Sequence, residues 1–288
     1  MAVGSKSKIG WTDATWNPVT GCTRVSAGCE KCYAERMAFR IHEADYARWS
    51  KADSPRPFDE FSRYAGVVDT RGWTHAVRCH PDLLDQPLRW RKPRRIFVCS
   101  MSDLFHEGMP DAFLDRVFAT MAWCSGHRFQ LLSKRAGRLA AYLTDSETPE
   151  RIAHVLRSQA FTYPRWNATV SWPLPNVWLG VSVENRAALS RVELLRQVPA
   201  AVRWISFEPL LEDLGDLDLA GVSWAVSGGE SGPGYRQMKI DWLWDIVTQC
   251  QAAEVPVWVK QDSALHPGTQ GRIPDALWAL KEFPRGDL

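Results

Sequence analysis

Three cysteines near the amino end of the chain, Cys22, Cys29 and Cys32, have the side chains and the spacing to hold a metal group. Gly21 and Gly28 stand beside them and allow the loop to curl. Three thiolates on one loop can hold an iron–sulfur cluster or a zinc ion. A four-iron, four-sulfur (4Fe-4S) cluster usually takes four cysteines. The pattern therefore predicts a 4Fe-4S cluster with one iron open to bind and react with a small molecule.

Two other uses of these thiols stay open. A structural zinc site closes with four ligands, and Cys79 and His80 are a pair that could complete one. The thiols could also be unremarkable. A disulfide framework is not indicated, because the seven cysteines are an odd number without framework spacing, and residues 1–10 lack a signal-peptide stretch. Such cysteine use is typical of a reducing compartment, so we expect a cytoplasmic protein.

Composition predicts a single globular domain. A chain of 288 residues is long enough for one α/β barrel. The apolar fraction of 45% and the charged fraction of 24% are typical of soluble proteins. No apolar stretch approaches the length of a membrane span, so we expect no membrane partner. Nothing in the pattern indicates an oligomeric state.

A net charge of +2 does not by itself favour a nucleic acid partner. One dense basic run, residues 89–95, surrounds Trp90 with arginine and lysine, and such a cluster beside the mouth of a barrel could neutralise phosphates. The alternative is a solvated segment that leads into a strand. Some tryptophans could stack on bases. Those within apolar strands are expected to be core or barrel-wall residues, namely Trp178, Trp204, Trp224 and Trp258.

Short, nearly continuous apolar runs alternate with helical patterns along the chain, which is typical of parallel strands covered on both faces. We predict strands at residues 16–20, 95–100, 129–133, 177–182, 202–207, 222–227 and 255–260. Predicted helices intervene at residues 111–124, 134–143, 185–197 and 241–253. The fold class is therefore α/β, a partial or full TIM-like (β/α) barrel of about six to seven parallel strands. It forms one domain over residues 1–288, with insertions over the mouth at about 38–93 and 144–175.

Polar residues follow the predicted strands, at the end where parallel barrels carry their active sites. Each alone could be a helix N-cap, but their recurrence predicts a shared site. They are Ser100, Ser102, Asp103, Ser133, Lys134, Ser182, Glu184, Glu208, the Gly228–Gly229–Glu230 turn and Lys260. In that turn, glycines permit close approach of a ligand, and the carboxylate can accept from ribose hydroxyls or an ammonium group. Lys134 and Lys260 could neutralise a ligand carboxylate or phosphate, or instead pair with Glu184 or Glu208.

Four segments, in chain order, resemble a known family. They are residues 11–22 (WTDATWNPVTGC), 29–35 (CEKCYAE), 206–210 (SFEPL) and 227–230 (SGGE). A three-cysteine loop that follows the first strand and ends in Cys-x-x-Cys-Tyr is similar to the radical SAM superfamily. Together the segments resemble a phage- and prophage-associated three-cysteine family within it, distantly similar to spore photoproduct lyase.

The resemblance implies how the cysteines work. In radical SAM enzymes, three cysteines bind a 4Fe-4S cluster, and S-adenosylmethionine (SAM) chelates the open iron through its amino and carboxylate groups. An electron cleaves the sulfonium bond, and the resulting 5′-deoxyadenosyl radical abstracts hydrogen from substrate. By position, Cys22, Cys29 and Cys32 would be the ligands, and Tyr33 would contact the adenine. A thiol hydrogen donor, as a lyase could need, would be Cys99.

Two features depart from the superfamily pattern. The cysteines are separated by six residues and then two, instead of three and then two. The longer loop can still enclose a cluster, because loop closure costs little more for a few extra residues. The Gly-Gly-Glu turn follows the sixth predicted strand instead of an earlier one. The methionyl amine could therefore be bound by Glu230, or instead by Ser100, Ser133 or Glu184.

The sequence as a whole predicts a radical SAM enzyme that acts on a nucleic acid base or nucleotide, in modification or repair, with a reductant such as flavodoxin or ferredoxin. Candidate SAM-binding residues are Tyr33, Ser100, Ser102, Ser133, Ser182, Glu184, Gly228, Gly229 and Glu230. Candidate catalytic residues are Cys99, Lys134 and Glu208. One alternative is a radical SAM enzyme acting on a peptide or small metabolite. The other is a non-catalytic nucleic-acid-binding protein with a structural zinc site.

Overall fold

The structure, a computed structural model, describes residues 7, 9–52, 56–159 and 170–285. Its centre is one seven-stranded sheet in which neighbouring strands are all parallel. The strands lie side by side in chain order, as β1 (Ala14–Trp16), β2 (Arg95–Val98), β3 (Arg128–Ser133), β4 (Val177–Ser182), β5 (Val202–Phe207), β6 (Trp224–Gly228) and β7 (Val257–Gln261). No pairing joins β1 to β7 among the described residues. The predicted TIM-like barrel is therefore confirmed in its partial form.

Helices flank this sheet. They are α1 (Tyr33–Trp49), α2 (Phe58–Phe61), α3 (Asp111–Trp123), α4 (Ala136–Thr144), α5 (Thr148–Gln159), α6 (Ser190–Arg196), α7 (Ile240–Ala252) and α8 (Asp275–Trp278). Buried side chains of α3, α4, α6 and α7 share one large core with the strands. One face of the strands packs against these helices and the other carries a cluster of aromatic side chains, which explains why the strands are apolar along most of their length. Within the described chain, no helix combines the length and the apolar character that crossing a membrane requires.

The first predicted insertion adds a small layer beside the barrel. Val19–Thr20, just after β1, pairs antiparallel with Arg78–Cys79, and Val68–Asp69 pairs with Gly72–Trp73. Together with α1, this segment encloses a second, smaller core around Ala38. The insertion thus contributes short strands as well as the predicted helix and loop.

The second predicted insertion contains α5, which packs against α3. Residues 160–169 of that insertion lie outside the described residues.

Tryptophans fill the amino-terminal half of the barrel interior. Trp11, Trp204 and Trp224 meet edge to face or tilted, with ring centroids 5.1–5.9 Å apart, and Trp178 lies 5.7 Å from Trp224. Phe97 of β2 lies 4.9 Å from Trp11 on the other side. The predicted core role is confirmed for Trp178, Trp204 and Trp224, while Trp258 is partly buried against the same cluster. Because these aromatic side chains fill the amino half, the interior space of the described chain lies toward the carboxyl ends of the strands.

Gly180 makes room for this aromatic layer, and its replacement tests the packing. A Cβ at Gly180 would overlap the Trp204 indole, with Cδ2 only 2.6 Å away. We expect Gly180→Ala to lower the free energy of unfolding by about 1–3 kcal/mol through overpacking, measured by urea denaturation. Gly137 in α4 has no atom within 4 Å of its Cβ position, so Gly137→Ala should stabilise by up to about 1 kcal/mol. Equal effects of the two changes would contradict this packing.

The basic run lies at the opposite end of the barrel from the mouth. Strand β2 begins at Arg95, so residues 89–94 approach the sheet at its amino edge. Arg94 lies over the Trp90 ring at 5.3 Å, and Arg95 lies over the Phe283 ring at 3.8 Å. The prediction that this run lies beside the mouth is wrong. The run precedes a strand, whereas the mouth is formed by residues that follow the strands, and these two sets lie at opposite ends of a parallel barrel.

Candidate functional site

The cysteine loop, residues 21–32, begins just after β1 and crosses the carboxyl edge of the sheet. Gly21 forms a parallel bridge with Ser102, which follows β2. Gly21 has φ +90, and a Cβ there would collide with the Ala76 carbonyl. A 3-10 turn, Ala27–Cys29, comes next, and Cys32 is the residue that precedes α1. The loop and its three cysteines therefore lie at the mouth of the partial barrel.

The environment of the loop makes the Cys22 and Cys32 thiols hard to ionise. In addition to burial, a thiolate at Cys32 raises the pKa of Cys22, and a thiolate at Cys29 raises the pKa of Cys32. Burial raises the pKa of the Cys22 thiol to about 12, and the charge of Asp103 adds to the increase. Burial also raises the pKa of the Cys32 thiol, although the first backbone amides of α1 favour its thiolate. Cysteine binds a metal ion as the thiolate, so each of these thiols would release its proton when a metal ion binds.

As a donor set, these sulfurs suit iron or zinc. Their polar contacts are long, with Cys22 Sγ 3.6 Å from the Thr23 carbonyl and Cys29 Sγ 3.8 Å from Ser26 Oγ. Across the described chain, no three His, Cys, Asp or Glu side chains are already arranged to hold a metal ion. The loop supplies suitable ligands, and its sulfurs would have to converge as a metal group binds.

Arg135 anchors the first half of the cysteine loop. It follows β3, its side chain is only 3% exposed, and its Nη2 donates to the Thr23 carbonyl at 2.9 Å. Its Nη1 lies 2.9 Å from Glu107 Oε2. The Thr23 hydroxyl is also 2.7 Å from His106 Nε2. Residues from two neighbouring strand ends thus fix the chain directly after Cys22.

Arg236 anchors the second half of the loop from the segment after β6. Its backbone N–H, Nε and Nη2 donate to the Glu230 carboxylate at 2.5–3.1 Å. Nη2 also donates to the Ala27 carbonyl, and Nη1 to Glu30 Oε2, both at 2.9 Å. Although burial opposes it, these bonds hold the pKa of Glu230 below its usual value. The carboxylate of the Gly-Gly-Glu turn is therefore occupied by an arginine that reaches the cysteine loop.

The end of the cysteine loop and the start of helix α1 also contact the segment that follows β6. Lys31 Nζ donates to the Gly234 carbonyl, and Arg36 Nη2 donates to the Ser231 carbonyl at 2.9 Å. Strand β1 is one edge of the sheet, and β6 is next to the other edge. These bonds therefore hold the cysteine loop from both sides of the open barrel.

Two Lys–Glu pairs line the interior just below the loop. Glu184 Oε2 accepts from Arg191 Nη1 at 2.8 Å and lies 3.9 Å from Lys134 Nζ. Glu208 Oε1 lies 3.0 Å from Lys260 Nζ. Burial opposes ionisation of Glu184, but Lys134 and its other partners hold its pKa below the usual value. The pairing that the sequence left open as an alternative to ligand binding is thus present in the structure.

Some polar atoms of this layer are not fully satisfied. Ser227 Oγ, at the end of β6, is buried without a hydrogen-bond partner among the described residues. Glu208 Oε1 is likewise buried, and its contact with Lys260 lacks hydrogen-bond geometry. Buried polar groups in proteins are normally paired. The layer below the cysteine loop is therefore a place where a polar ligand would gain partners.

One family model matches this chain in a comparison with known protein families. The family model described as "Protein of unknown function (DUF5131)" matches residues 6–274. The chain belongs to this family. No curated protein and no solved structure matches the chain significantly. The matched segment includes the cysteine loop, all seven barrel strands and both anchoring arginines, so the candidate site lies wholly within the DUF5131 region.

The serines predicted as cofactor ligands mostly fix the loops of this DUF5131 barrel. Ser100 Oγ bonds Asn17 Oδ1 at 3.1 Å, and Ser102 Oγ donates to the Val19 carbonyl at 3.0 Å. Ser133 Oγ donates to Asp103 at 2.8 Å. Together they bind the ends of β1, β2 and β3 to one another.

Tyr33 and Ser182 also lie at the mouth. The hydroxyl of the half-exposed Tyr33 donates to the Ser100 carbonyl at 2.6 Å. Ser182 is buried, lies opposite Ser206 of β5, and its carbonyl accepts from Arg191 at 2.7 Å. Both residues are therefore close to the charged layer.

The two glycines of the Gly-Gly-Glu turn are explained by packing. A Cβ on Gly229 would collide with Ser263, whose Cα would be 2.8 Å away. A Cβ on Gly228 would be 3.0 Å from Glu208 Oε1 and from the Gln261 carbonyl. Close contact between the ends of β6 and β7 is enough to require glycine at both positions.

Cys99 lies beneath the mouth. It is 3% exposed, and its backbone is left-handed with φ +59, an uncommon conformation outside glycine. Its N–H donates to the Trp16 carbonyl at 2.8 Å, and burial raises the pKa of its thiol to about 12. This thiol is part of the core that the strands share with the helices.

The pair that could complete a zinc site has other partners. Cys79 Sγ lies 3.5 Å from Met109 Sδ, and its backbone pairs with Val19. His80 Nε2 lies 2.9 Å from Thr20 Oγ1, whose hydroxyl proton is donated to the Arg63 carbonyl. The imidazole must therefore donate to Thr20 from Nε2.

His80 predicts a pH dependence of stability. Burial, with the charges of Arg63 and Arg78, lowers its pKa to about 4, although Asp82 acts in the other direction. The unfolded chain takes up this proton first as the pH falls below about 6.5, so folding loses up to about 3 kcal/mol by pH 4. His80→Gln should remove this part of the pH dependence, measured as urea midpoints at pH 7 and 4.5. Parallel pH profiles for both proteins would contradict the assignment.

Sequence reasoning missed the residues that hold the site together. They are His106, Arg135, Arg191 and Arg236, whereas Asp103, which accepts from Ser133, was already among the polar residues predicted at the strand ends. Arg135 had a usable signal, since it directly follows Ser133 and Lys134 at a predicted strand end. Arg236 had none, because its acceptor Ala27 is 209 residues away in sequence.

Proposed function

We propose that this protein is a radical SAM enzyme in which Cys22, Cys29 and Cys32 hold a 4Fe-4S cluster and SAM binds beside it. One observation carries the proposal. A loop with three cysteines is anchored over the carboxyl ends of a parallel partial barrel, directly above a layer of paired charges. Active sites of such barrels lie at this end. The tryptophan layer below fills the amino half, so the interior space of the described chain lies toward the mouth.

Bound there, the cluster would supply the electron that cleaves SAM into methionine and a 5′-deoxyadenosyl radical, which then abstracts hydrogen from substrate. The chain's own residues would bind and orient the reactants. Lys134 and Lys260 offer ammonium groups to a carboxylate or phosphate. Glu184 and Glu208 offer carboxylates to an amine or a hydroxyl group. The tryptophan layer would keep water from the interior side.

The remaining site predictions become part of this proposal. Tyr33, at the start of α1 and half-exposed, is the residue to contact adenine. The other SAM-binding candidates are Ser100, Ser102, Ser133, Ser182, Glu184, Gly228 and Gly229, while the carboxylate of Glu230, also predicted to bind SAM, is already held by Arg236. Cys99, Lys134 and Glu208 are the catalytic candidates. Lys134, Glu184 and Glu208 are the strongest of all, because they line the interior directly beneath the loop.

For substrate, we propose a nucleic acid base or nucleotide, as the resemblance implies, with a peptide or small metabolite as the alternative. The basic run does not support this choice, since it lies at the amino edge. Arg24, with a 50% exposed side chain, and the exposed aromatic residues Tyr33 and Tyr235 remain at the rim to contact phosphate and base. A cytoplasmic flavodoxin or ferredoxin is the proposed reductant.

The decisive assay is SAM cleavage by anaerobically prepared protein. With dithionite, iron-loaded protein should convert SAM to 5′-deoxyadenosine, and a Cys79→Ser control should do the same. Single-stranded DNA, RNA and nucleotides should then be compared with peptides as accelerators of this reaction. Zinc in place of iron, with no SAM cleavage, would support the nucleic-acid-binding alternative and overturn the proposal.

A further inference from the structure

We infer that Arg135 and Arg236 are positioning residues that hold the cysteine loop over the mouth before any metal group binds. We call this pair the arginine clasp. The purpose of this positioning, which is to prepare the loop for a metal group, rests on the proposed function. The clasp itself consists of contacts among this chain's own residues.

The two arginines hold opposite ends of the unusual six-residue gap between Cys22 and Cys29. Arg135 donates to the carbonyl of Thr23, the first residue of the gap, and Arg236 donates to the carbonyl of Ala27, the fifth. Both acceptors are backbone atoms. The clasp therefore fixes the path of the chain itself between two of the three cysteines.

Each arginine is in turn fixed by a carboxylate. Arg135 pairs with Glu107, and Arg236 is held by three bonds to Glu230, which is only 6% exposed. Charge-assisted bonds of this kind are shorter and stronger than neutral ones. Both guanidinium groups are thus oriented before they meet the loop, which lowers the ordering cost when the loop binds a ligand.

The clasp accounts for both departures from the superfamily pattern. A gap of six residues has more conformational freedom than one of three, and the two arginines remove that freedom. Arg236 connects the Gly-Gly-Glu turn after β6 to the cysteine loop, because it donates both to Glu230 and to the Ala27 carbonyl. We therefore assign Glu230 to positioning of Arg236, in place of direct contact with the methionyl amine.

Arg272 provides a matched control. Its backbone N–H, Nε and Nη2 donate to Asp262 at 2.7–3.0 Å, and Nη2 also donates to the Met238 carbonyl at 2.8 Å. This is the bonding pattern of Arg236 with Glu230 and Ala27, at the end of β7. No described contact joins Arg272 to the cysteine loop. Arg272→Met therefore removes equivalent bonds without releasing the loop.

The test is thiol reactivity in the metal-free, full-length chain. Trypsin cuts after Arg24, Lys31 and Arg36, so each loop cysteine falls in a separate peptide. Modification by N-ethylmaleimide can then be timed for each cysteine by mass spectrometry. We expect Arg236→Met to speed modification of Cys29 by about tenfold, a change of 1.4 kcal/mol in local opening. Arg272→Met should change it by less than about twofold, and Arg236→Lys should restore part of the protection.

Equal modification rates in the Arg236→Met, Arg272→Met and unaltered proteins would overturn the clasp. A faster modification of Cys29, confined to the cysteine loop and accompanied by an unchanged melting temperature, would support the clasp. Iron analysis of the same proteins separates the two proposals. If the unaltered chain binds no cluster, the proposed function fails, while the thiol rates still decide the clasp.

Discussion

Cys29→Ser is expected to yield a folded protein that retains less than about one tenth of the iron and sulfide of the unaltered chain after anaerobic reconstitution. The reason is chemical, because a serine hydroxyl at neutral pH does not replace a cluster thiolate. The fold should tolerate the change. Cys29 lies in a 3-10 turn and is partly exposed, and within the described chain its thiol has a long contact of 3.8 Å with Ser26 Oγ. Iron, sulfide and visible absorbance are the measurements.

Cys79→Ser is the matched control for that loss. Cys79 lies in the first insertion and is also partly exposed, but its sulfur contacts Met109. Its replacement should leave the iron content within about one fifth of the unaltered value. Iron loss in both variants would mean that the metal is not held by the cysteine loop alone. Full iron in Cys29→Ser would exclude Cys29 as a ligand.

Glu184→Gln is expected to lower the free energy of unfolding of the metal-free chain by about 3 kcal/mol. Glu184 has a side chain that is 0% exposed, and it balances both Arg191 and Lys134. Glutamine keeps the shape and removes the charge. Two cations that are only 13% and 19% exposed are then left without their buried counter-ion, and removing one partner of a largely buried ion pair is costly. Urea denaturation at pH 7 measures the loss.

Glu193→Gln is the control for this change, on the neighbouring helix α6. Its side chain is 65% exposed and pairs with Arg196 at 2.6 Å. Exposed pairs contribute little, so the loss should be below about 1 kcal/mol. If Glu184→Gln were as mild as Glu193→Gln, the charged layer would be solvated and could not act as a dry binding surface.

The barrel was predictable because its strands carry a local signal. Strands β4 and β5 have the predicted bounds, since both are short apolar runs ended by a polar residue. The first strand was misplaced by a few residues. The prediction continued it to Thr20, whereas Asn17 and Pro18 end it, and Val19–Thr20 pairs with the insertion instead. Tertiary contacts decide which strand so short a segment pairs with.

The candidate site was predictable only where chemistry follows a strand directly. Cys22, Lys134, Glu184 and Glu208 were placed at the mouth by that rule alone. The contacts that organise the loop were not predictable, because Arg135 and Thr23 are 112 residues apart. Nothing local to an arginine indicates which distant carbonyl it will meet.

Low-temperature EPR of the anaerobically reduced protein, recorded with and without SAM, shows whether the cysteine loop holds a cluster that binds SAM. We expect a 4Fe-4S signal that shifts when SAM is added and that is lost in Cys29→Ser. The shift would report SAM at the open iron, whatever the substrate. Bound zinc with no iron signal, or a cluster whose spectrum ignores SAM, would contradict the proposed chemistry.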